Sequence, residues 1–272
     1  MAAEGCRPWR ALGLATVLVV TTAACAPKVH LDLPAGAGTP LADVTAAEQS
    51  ARASCQSHDA VTADLRLSGR IDGERVRGTL QVGVARDAMR LEGLAPFGAP
   101  VFVLAARPGD AVLLLPRESA VARGTSAAEL LDAAVGVALT PAELLAIVSG
   151  CGVADWTVTG GATYGGTWTR LDLDGNRVIW LRARPDGPPI LVAAADRRWQ
   201  IEYTRPGPTW PTAIRLRGLG RAGAGRTDAV FALDAPEALA ALPDGALDVV
   251  VPAGATAVAL ADLRARRGLT ER

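Results

Sequence analysis

The chain has 272 residues with 28 basic and 28 acidic side chains, half of its residues are apolar and 21% are charged. That composition describes a folded globular chain, and the absence of net charge leaves no broad basic field for a nucleic-acid backbone. The only two histidines are His30 and His58 and the only lysine is Lys28, which argues against His-based metal sites, a Ser-His-Asp triad and lysine chemistry.

In chain order, Arg7 and Arg10 precede an apolar run from Ala11 to Val20, and small residues lead to Cys25. This is the pattern of a secretory signal over residues 1–24, too short for a spanning helix. Thr22-Ala23-Ala24-Cys25 resembles a bacterial lipobox, after which the cysteine becomes a lipidated N-terminus. Leu is usual where Thr22 stands, and the alternative is an ordinary signal peptidase site. Ala26 in place of Asp implies, by the same resemblance, transfer to the outer membrane. Residues 25–44 hold Pro27, Pro34 and Pro40 and read as a flexible tether, followed by a short helix over residues 45–58 and a single domain over residues 45–272. Cys55 and Cys151 remain in the exported chain. They are either a disulfide, as an oxidising compartment favours, or two buried thiols.

From Leu65 the apolar period is two. Leu65, Leu67, Gly69 and Ile71 share a face, and so do Val76, Gly78, Leu80, Val82 and Val84, with a turn signal at Asp72-Gly73. Strands follow at Met89–Leu91, Val101–Ala105 and Ala111–Leu115. Two capped helices come next. Ser126/Glu129 and Thr140/Glu143 both fit a capping box, Pro141 suits a first helical position, and Gly150 suits a stop. Their apolar sides carry Leu130, Leu131 and Ala134, then Leu144, Leu145 and Val148. Strands resume at Thr167–Leu173, Arg177–Ala183, Pro189–Ala194, Trp199–Thr204, Ala213–Gly218 and Asp228–Leu233, and residues 256–266 suit a last helix. The fold class is mainly β (α+β). It is an incomplete antiparallel barrel of about eleven strands, with helices covering the open side.

Leu67-Ser-Gly69-Arg70, Arg77-Gly78-x-Leu80, Leu94-Ala-Pro96-Phe97-Gly98 and Thr140-Pro141-x-Glu143-Leu144 occur in that order. The stretch resembles LolB, the outer-membrane receptor for lipoproteins, and LolB-like lipoproteins more widely. The resemblance covers about 85 residues plus the lipobox, and the C-terminal half shares only a strand rhythm. It implies a hydrophobic cavity for acyl chains delivered by a periplasmic LolA-like carrier, no cofactor beyond the N-terminal lipid, and a position on the periplasmic face of the outer membrane. It also implies a membrane-insertion loop at Leu94–Ala99, with Phe97 at its apolar tip and Leu94, Pro96 and Gly98 shaping it. The expected cavity lining is Leu67, Leu80, Val82, Leu91, Val103, Leu171, Trp199 and Ile201; the same residues could instead fill a packed core. A structural lipoprotein that assists an envelope assembly machine without lipid cargo is the alternative function.

Catalysis finds little support. Gly218-x-Gly220-x-x-Gly223 is followed by a strand where a dinucleotide site needs a helix, and Asp172-x-Asp174-Gly175-Asn176 lacks the remaining ligands of a calcium loop. No nucleophile–base pair can be named, so no enzyme and no metal site are expected.

Overall fold

The computed structural model describes residues 31–55, 58–71, 73–95, 98–205, 209–219 and 227–269. Its strands are β1 (Thr39–Pro40), β2 (Ala60–Ile71), β3 (Glu74–Ala85), β4 (Met89–Leu94), β5 (Pro100–Arg107), β6 (Asp110–Leu115), β7 (Ala120–Gly124), β8 (Val158–Tyr164), β9 (Trp168–Leu173), β10 (Arg177–Arg182), β11 (Ile190–Ala195), β12 (Trp199–Thr204), β13 (Ala213–Gly218), β14 (Asp228–Leu239) and β15 (Thr256–Ala257). The α-helices are α1 (Val44–Ser54), α2 (Ala127–Val135), α3 (Pro141–Val148) and α4 (Leu260–Leu269). All strands join one sheet, in the order β1-β8-β9-β10-β11-β12-β13-β14-β2-β3-β4-β5-β6-β7-β15.

The order explains the helices between the strands. After β1 and α1 the chain enters the centre at β2 and meanders outward to β7. It crosses to the other side through α2 and α3, then meanders back from β8 until β14 pairs with β2. The sheet therefore stays open, with β2 and β14 at its middle. The expectation of an incomplete antiparallel barrel with helices over its open side holds. The strand count of about eleven does not: the sheet has fifteen, with β1, β7, β8 and β15 beyond the expected ones. β8 reads Val-Thr-Gly-Gly-Ala-Thr-Tyr, and its glycines suppress a strand signal. Gly161 is required there: a Cβ would lie 2.4 Å from Leu41 Cδ1 and 2.5 Å from the Arg170 carbonyl oxygen. β14 runs past Leu233 because its Pro236 sits in an irregularity of the pairing with β2, between Asp234 and Glu237.

The caps follow local chemistry. Thr140 Oγ1 accepts the Glu143 N–H (3.2 Å) and Glu143 Oε2 accepts the Thr140 N–H (2.8 Å), a complete capping box. At α2 the box is shifted. Ser126 accepts the Glu129 N–H, but the Glu129 carboxylate reaches back to Thr125 N–H (3.0 Å). α3 ends at Gly150 (φ 75°) in a Schellman arrangement, with Gly150 N–H donating to Ile147 O and Cys151 N–H to Ala146 O.

Two apolar clusters fill the concave face on either side of α3. Leu144, Leu145 and Val148 join Leu130, Val82, Leu91, Leu104 and Leu113 on one side. Ile147 joins Leu171, Ile179, Leu191, Trp199, Ile201 and Ile214 on the other. Tyr203 fixes the end of α3. It is 2% exposed, and its hydroxyl accepts the Gly152 N–H (3.0 Å) and donates to Ile147 O (3.0 Å). Burial raises its pKa. Tyr203→Phe strands the Gly152 N–H in a dry site, and we expect a loss of about 1–3 kcal/mol. A lower urea midpoint at unchanged slope checks it.

Both ends of the described chain wrap the two open edges in the same way. On one side Leu31 N–H donates to Glu202 Oε2 (3.1 Å) on the outer face, and Gly36 O accepts from Tyr164 OH (2.9 Å). β1 then pairs with β8, and α1 enters the concave side through Ala47 and Ala51. The segment read as a tether is thus held to the sheet from Leu31 onward. On the other side Val249, Val251 and Ala255 pack on the outer face. β15 pairs with β7 in parallel, and α4 places Leu263 in the concave cluster. Exposed sheet edges invite pairing with other chains, and these wraps cover both.

Cys55 and Cys151 form a disulfide, with Cα atoms 4.7 Å apart. It joins the end of α1 to the turn after α3. Next to it, Ser54 Oγ accepts the Leu191 N–H (3.0 Å), and the Arg52 guanidinium lies over Trp156, 4.2 Å from the ring centre.

Candidate functional site

Along the two central strands the inward positions change character. Near the end where β2 begins, Val61 and Val84 are fully buried under α3. Toward the β2–β3 turn the inward Leu67, Ile71, Val76 and Leu80 are only partly buried. Phe102 on β5 and Phe231 and Leu233 on β14 behave likewise. The helices roof one end of the concave face and leave an apolar trough at the other.

The floor of this trough is low because glycines alternate with the large side chains. Leu67 faces Gly78 and Phe231, Leu80 faces Gly93, and Gly69 faces Ala229. Gly93 has a steric reason, since a Cβ there would lie 2.3 Å from the Phe102 ring. Gly69 has another: its φ is 138°, and a Cβ would lie 2.3 Å from the Asp228 carbonyl oxygen. Inward positions of β2 to β5 and β14 at this end carry no charged side chain except Glu74 at the turn. Val101 (38% exposed) and Leu219 (44% exposed) add apolar surface at the same end.

The expected lining residues divide three ways. Leu67 and Leu80 lie in the trough. Val82, Leu91 and Leu171 are buried in the packed clusters. Trp199 and Ile201 are buried too, and with Leu139 and Ile147 they line a hollow of about 60 Å³, too small for an acyl chain. Val103 is on the opposite face, packed with Val112, Leu114 and Val121 under the 249–255 segment. Of the helix positions, Leu130, Leu144, Leu145 and Val148 are buried on the sheet and Leu131 is partly buried. A larger cavity of about 400 Å³ lies beside the disulfide, lined by His58, Ser149, Arg52 and Trp156 among others. Its His58 stacks on Trp210 at 4.6 Å, and burial lowers the His58 pKa.

The loop after β4 is placed at its two ends. Leu94 is partly buried, and Gly98 (φ 80°) donates its N–H to Ala95 O while Ala95 N–H donates to Ala99 O. Pro96 and Phe97 lie outside the described residues, as do Cys25, the signal segment and residues 220–226. Phe102, Phe231 and Leu233 were not singled out from sequence, although each continues its strand's alternation with Leu104 and Ala229.

Among the described residues no three His, Cys, Asp or Glu side chains gather where they could hold a metal. No helix among them is long and apolar enough to cross a membrane. Asp172 pairs with Arg170 (2.8 Å), and Asp174 is held below its usual pKa chiefly by the hydrogen bond from Arg177. Both carboxylates are thus engaged within the hairpin. Gly175 and Asn176 there have φ of 67° and 59°, as a tight turn demands. The arrangement offers an apolar surface open at one end.

No protein-family model and no curated protein matches this chain. Solved structures to which the chain is similar include a LolA superfamily protein from Nitrosomonas europaea, 13% identical with a TM-score of 0.49, covering 76% of this chain and 99% of that one. A DUF1329 family protein from Desulfovibrio piger is 12% identical, TM-score 0.45, covering 74% and 96%. A putative outer membrane lipoprotein-sorting protein domain from Vibrio parahaemolyticus is 12% identical, TM-score 0.42, covering 74% and 94%. Likeness at this level carries nothing about what the chain binds. The fold itself defines the class: a mostly β protein built on one large unclosed sheet, with helices packed across its concave side.

Proposed function

We propose that this chain is a lipoprotein, lipidated at Cys25 and anchored on the periplasmic face of the outer membrane, which holds acyl chains of lipoproteins or lipids in the trough and helps pass them into the membrane. A LolA-like periplasmic carrier would deliver the cargo. The observation that carries this reading is the uncharged, half-roofed inner face around Leu67, Leu80, Phe102 and Phe231, floored with glycines. Acyl chains need a dry, non-directional surface, and each methylene removed from water contributes about 0.8 kcal/mol. An open trough lets such cargo leave when a bilayer offers more burial.

Native mass spectrometry of the gently purified protein tests the reading. Co-bound acylated species are expected, and their consistent absence favours the structural role without cargo. The loop is tested separately. Phe97→Glu should lower transfer of a bound lipoprotein into vesicles about tenfold or more while cargo stays bound, because a charge resists entry into the bilayer. Transfer at the unaltered rate removes Phe97 from the insertion step.

A further inference from the structure

The sequence is neutral overall, yet the outer face behind the trough is not. The strands place two rows of side chains side by side there. Glu202 on β12 faces Arg215 on β13, then come Val230 on β14, Ser68 on β2 and Arg77 on β3. The next row is Gln200, Arg217, Asp228, Arg70 and Arg75 on the same strands. Five arginines thus share this patch with two carboxylates. Glu202 lies on β12 and Asp228 on β14 beside Arg70, and Arg215 between them holds Asp228 (2.7 Å) and reaches Glu202 (3.8 Å). Arg70, Arg75 and Arg77 are exposed, and among the described residues no carboxylate pairs with them. Arg70 and Arg75 stand directly opposite each other. Like charges so placed destabilise a strand pair, so the fold alone gives no reason for them.

The second observation is where the chain comes in. Leu31 is hydrogen-bonded to Glu202, at the end of the first row, and Cys25 lies only six residues before it in the chain. Six residues reach at most about 20 Å. The row from Glu202 to Arg77 crosses four strand spacings, roughly 19 Å. An acylated Cys25 therefore holds this face within reach of the bilayer it is inserted in.

We propose that the outer face of β14, β2 and β3 lies against anionic phospholipid head groups, with Arg70, Arg75 and Arg77 as the contact. The leash argument rests on lipidation of Cys25; the charge argument does not. An arginine at an anionic surface contributes about fivefold in binding, from ~1 kcal/mol per residue, and salt screens it.

The test uses the full lipidated protein in vesicles of phosphatidylcholine alone or with three-tenths phosphatidylglycerol, read by hydrogen exchange. Backbone amides of residues 66–78 should exchange at least tenfold more slowly with phosphatidylglycerol present, and 0.5 M salt should remove the effect. Arg70→Gln, Arg75→Gln and Arg77→Gln together should abolish the slowing without lowering the melting temperature, since all three are exposed and Arg70 and Arg75 face each other as like charges. Equal exchange in both vesicles, or slowing that survives in the triple variant, overturns the proposal. Slowing that needs an added acidic protein assigns the patch to a protein partner and overturns it equally. The intact mass reports lipidation of Cys25, and cargo is read by native mass spectrometry. Failure of this surface is thus distinguishable from failure of the trough.

Discussion

Replacing both Cys55 and Cys151 with serine is expected to lower the melting temperature by roughly 10 °C. The bond spans 96 positions of sequence. Opening a loop of that length returns about 4 kcal/mol of entropy to the unfolded chain. For a domain of this size each kcal/mol moves the midpoint by about 2–4 °C. The location adds to the effect. α1 has 11 residues and is too short to stand alone in water. It is held to the sheet by Ser54, by Arg52 on Trp156 and by the disulfide. Differential scanning calorimetry of wild type with and without reductant, beside the double variant, checks the expectation. The reduced wild type and the variant should melt together. A variant melting with the oxidised wild type shows that the helix contacts alone secure α1.

The second large effect belongs to the trough. Leu67→Glu should lower co-purified acyl lipid at least tenfold. A carboxylate facing Gly78 and Phe231 either stays charged, which an acyl chain cannot solvate, or takes a proton at a cost in free energy. Leu67 is only partly buried, so the fold tolerates the change and the melting point should move by a few degrees. Gln81→Glu, exposed on the outer face of β3, is the control and should leave lipid content unaltered. Lipid content unchanged in Leu67→Glu would detach the trough from cargo binding.

How far the sequence could be read depended on whether a strand is covered on one face or two. β2 and β3 have a solvated outer face at their far ends, so Arg66, Ser68 and Arg70 alternate with Leu67, Gly69 and Ile71 and the inward face is plain. β5 is covered on both sides, by the helices within and by the 249–255 segment without. Its run Phe102-Val-Leu-Ala-Ala is apolar throughout, and no periodicity tells Val103 from Leu104. That is why Val103 was assigned to the concave face and lies on the other.

The sequence by itself determined what is local: strands with a wet face, the cap at Thr140, the stop at Gly150 and the turn at Gly175. These depend on neighbours a few residues away, through hydrogen bonds and allowed backbone angles. Only the tertiary structure decided which strands meet, because β14 pairs with β2 across more than half the chain and nothing local encodes that register. It also decided where the helices stop covering the sheet. The trough exists because α2 and α3 are shorter than the strands they cross, and the arginine rows exist because the β2–β3 hairpin is aligned beside β12, β13 and β14 from the far part of the sequence.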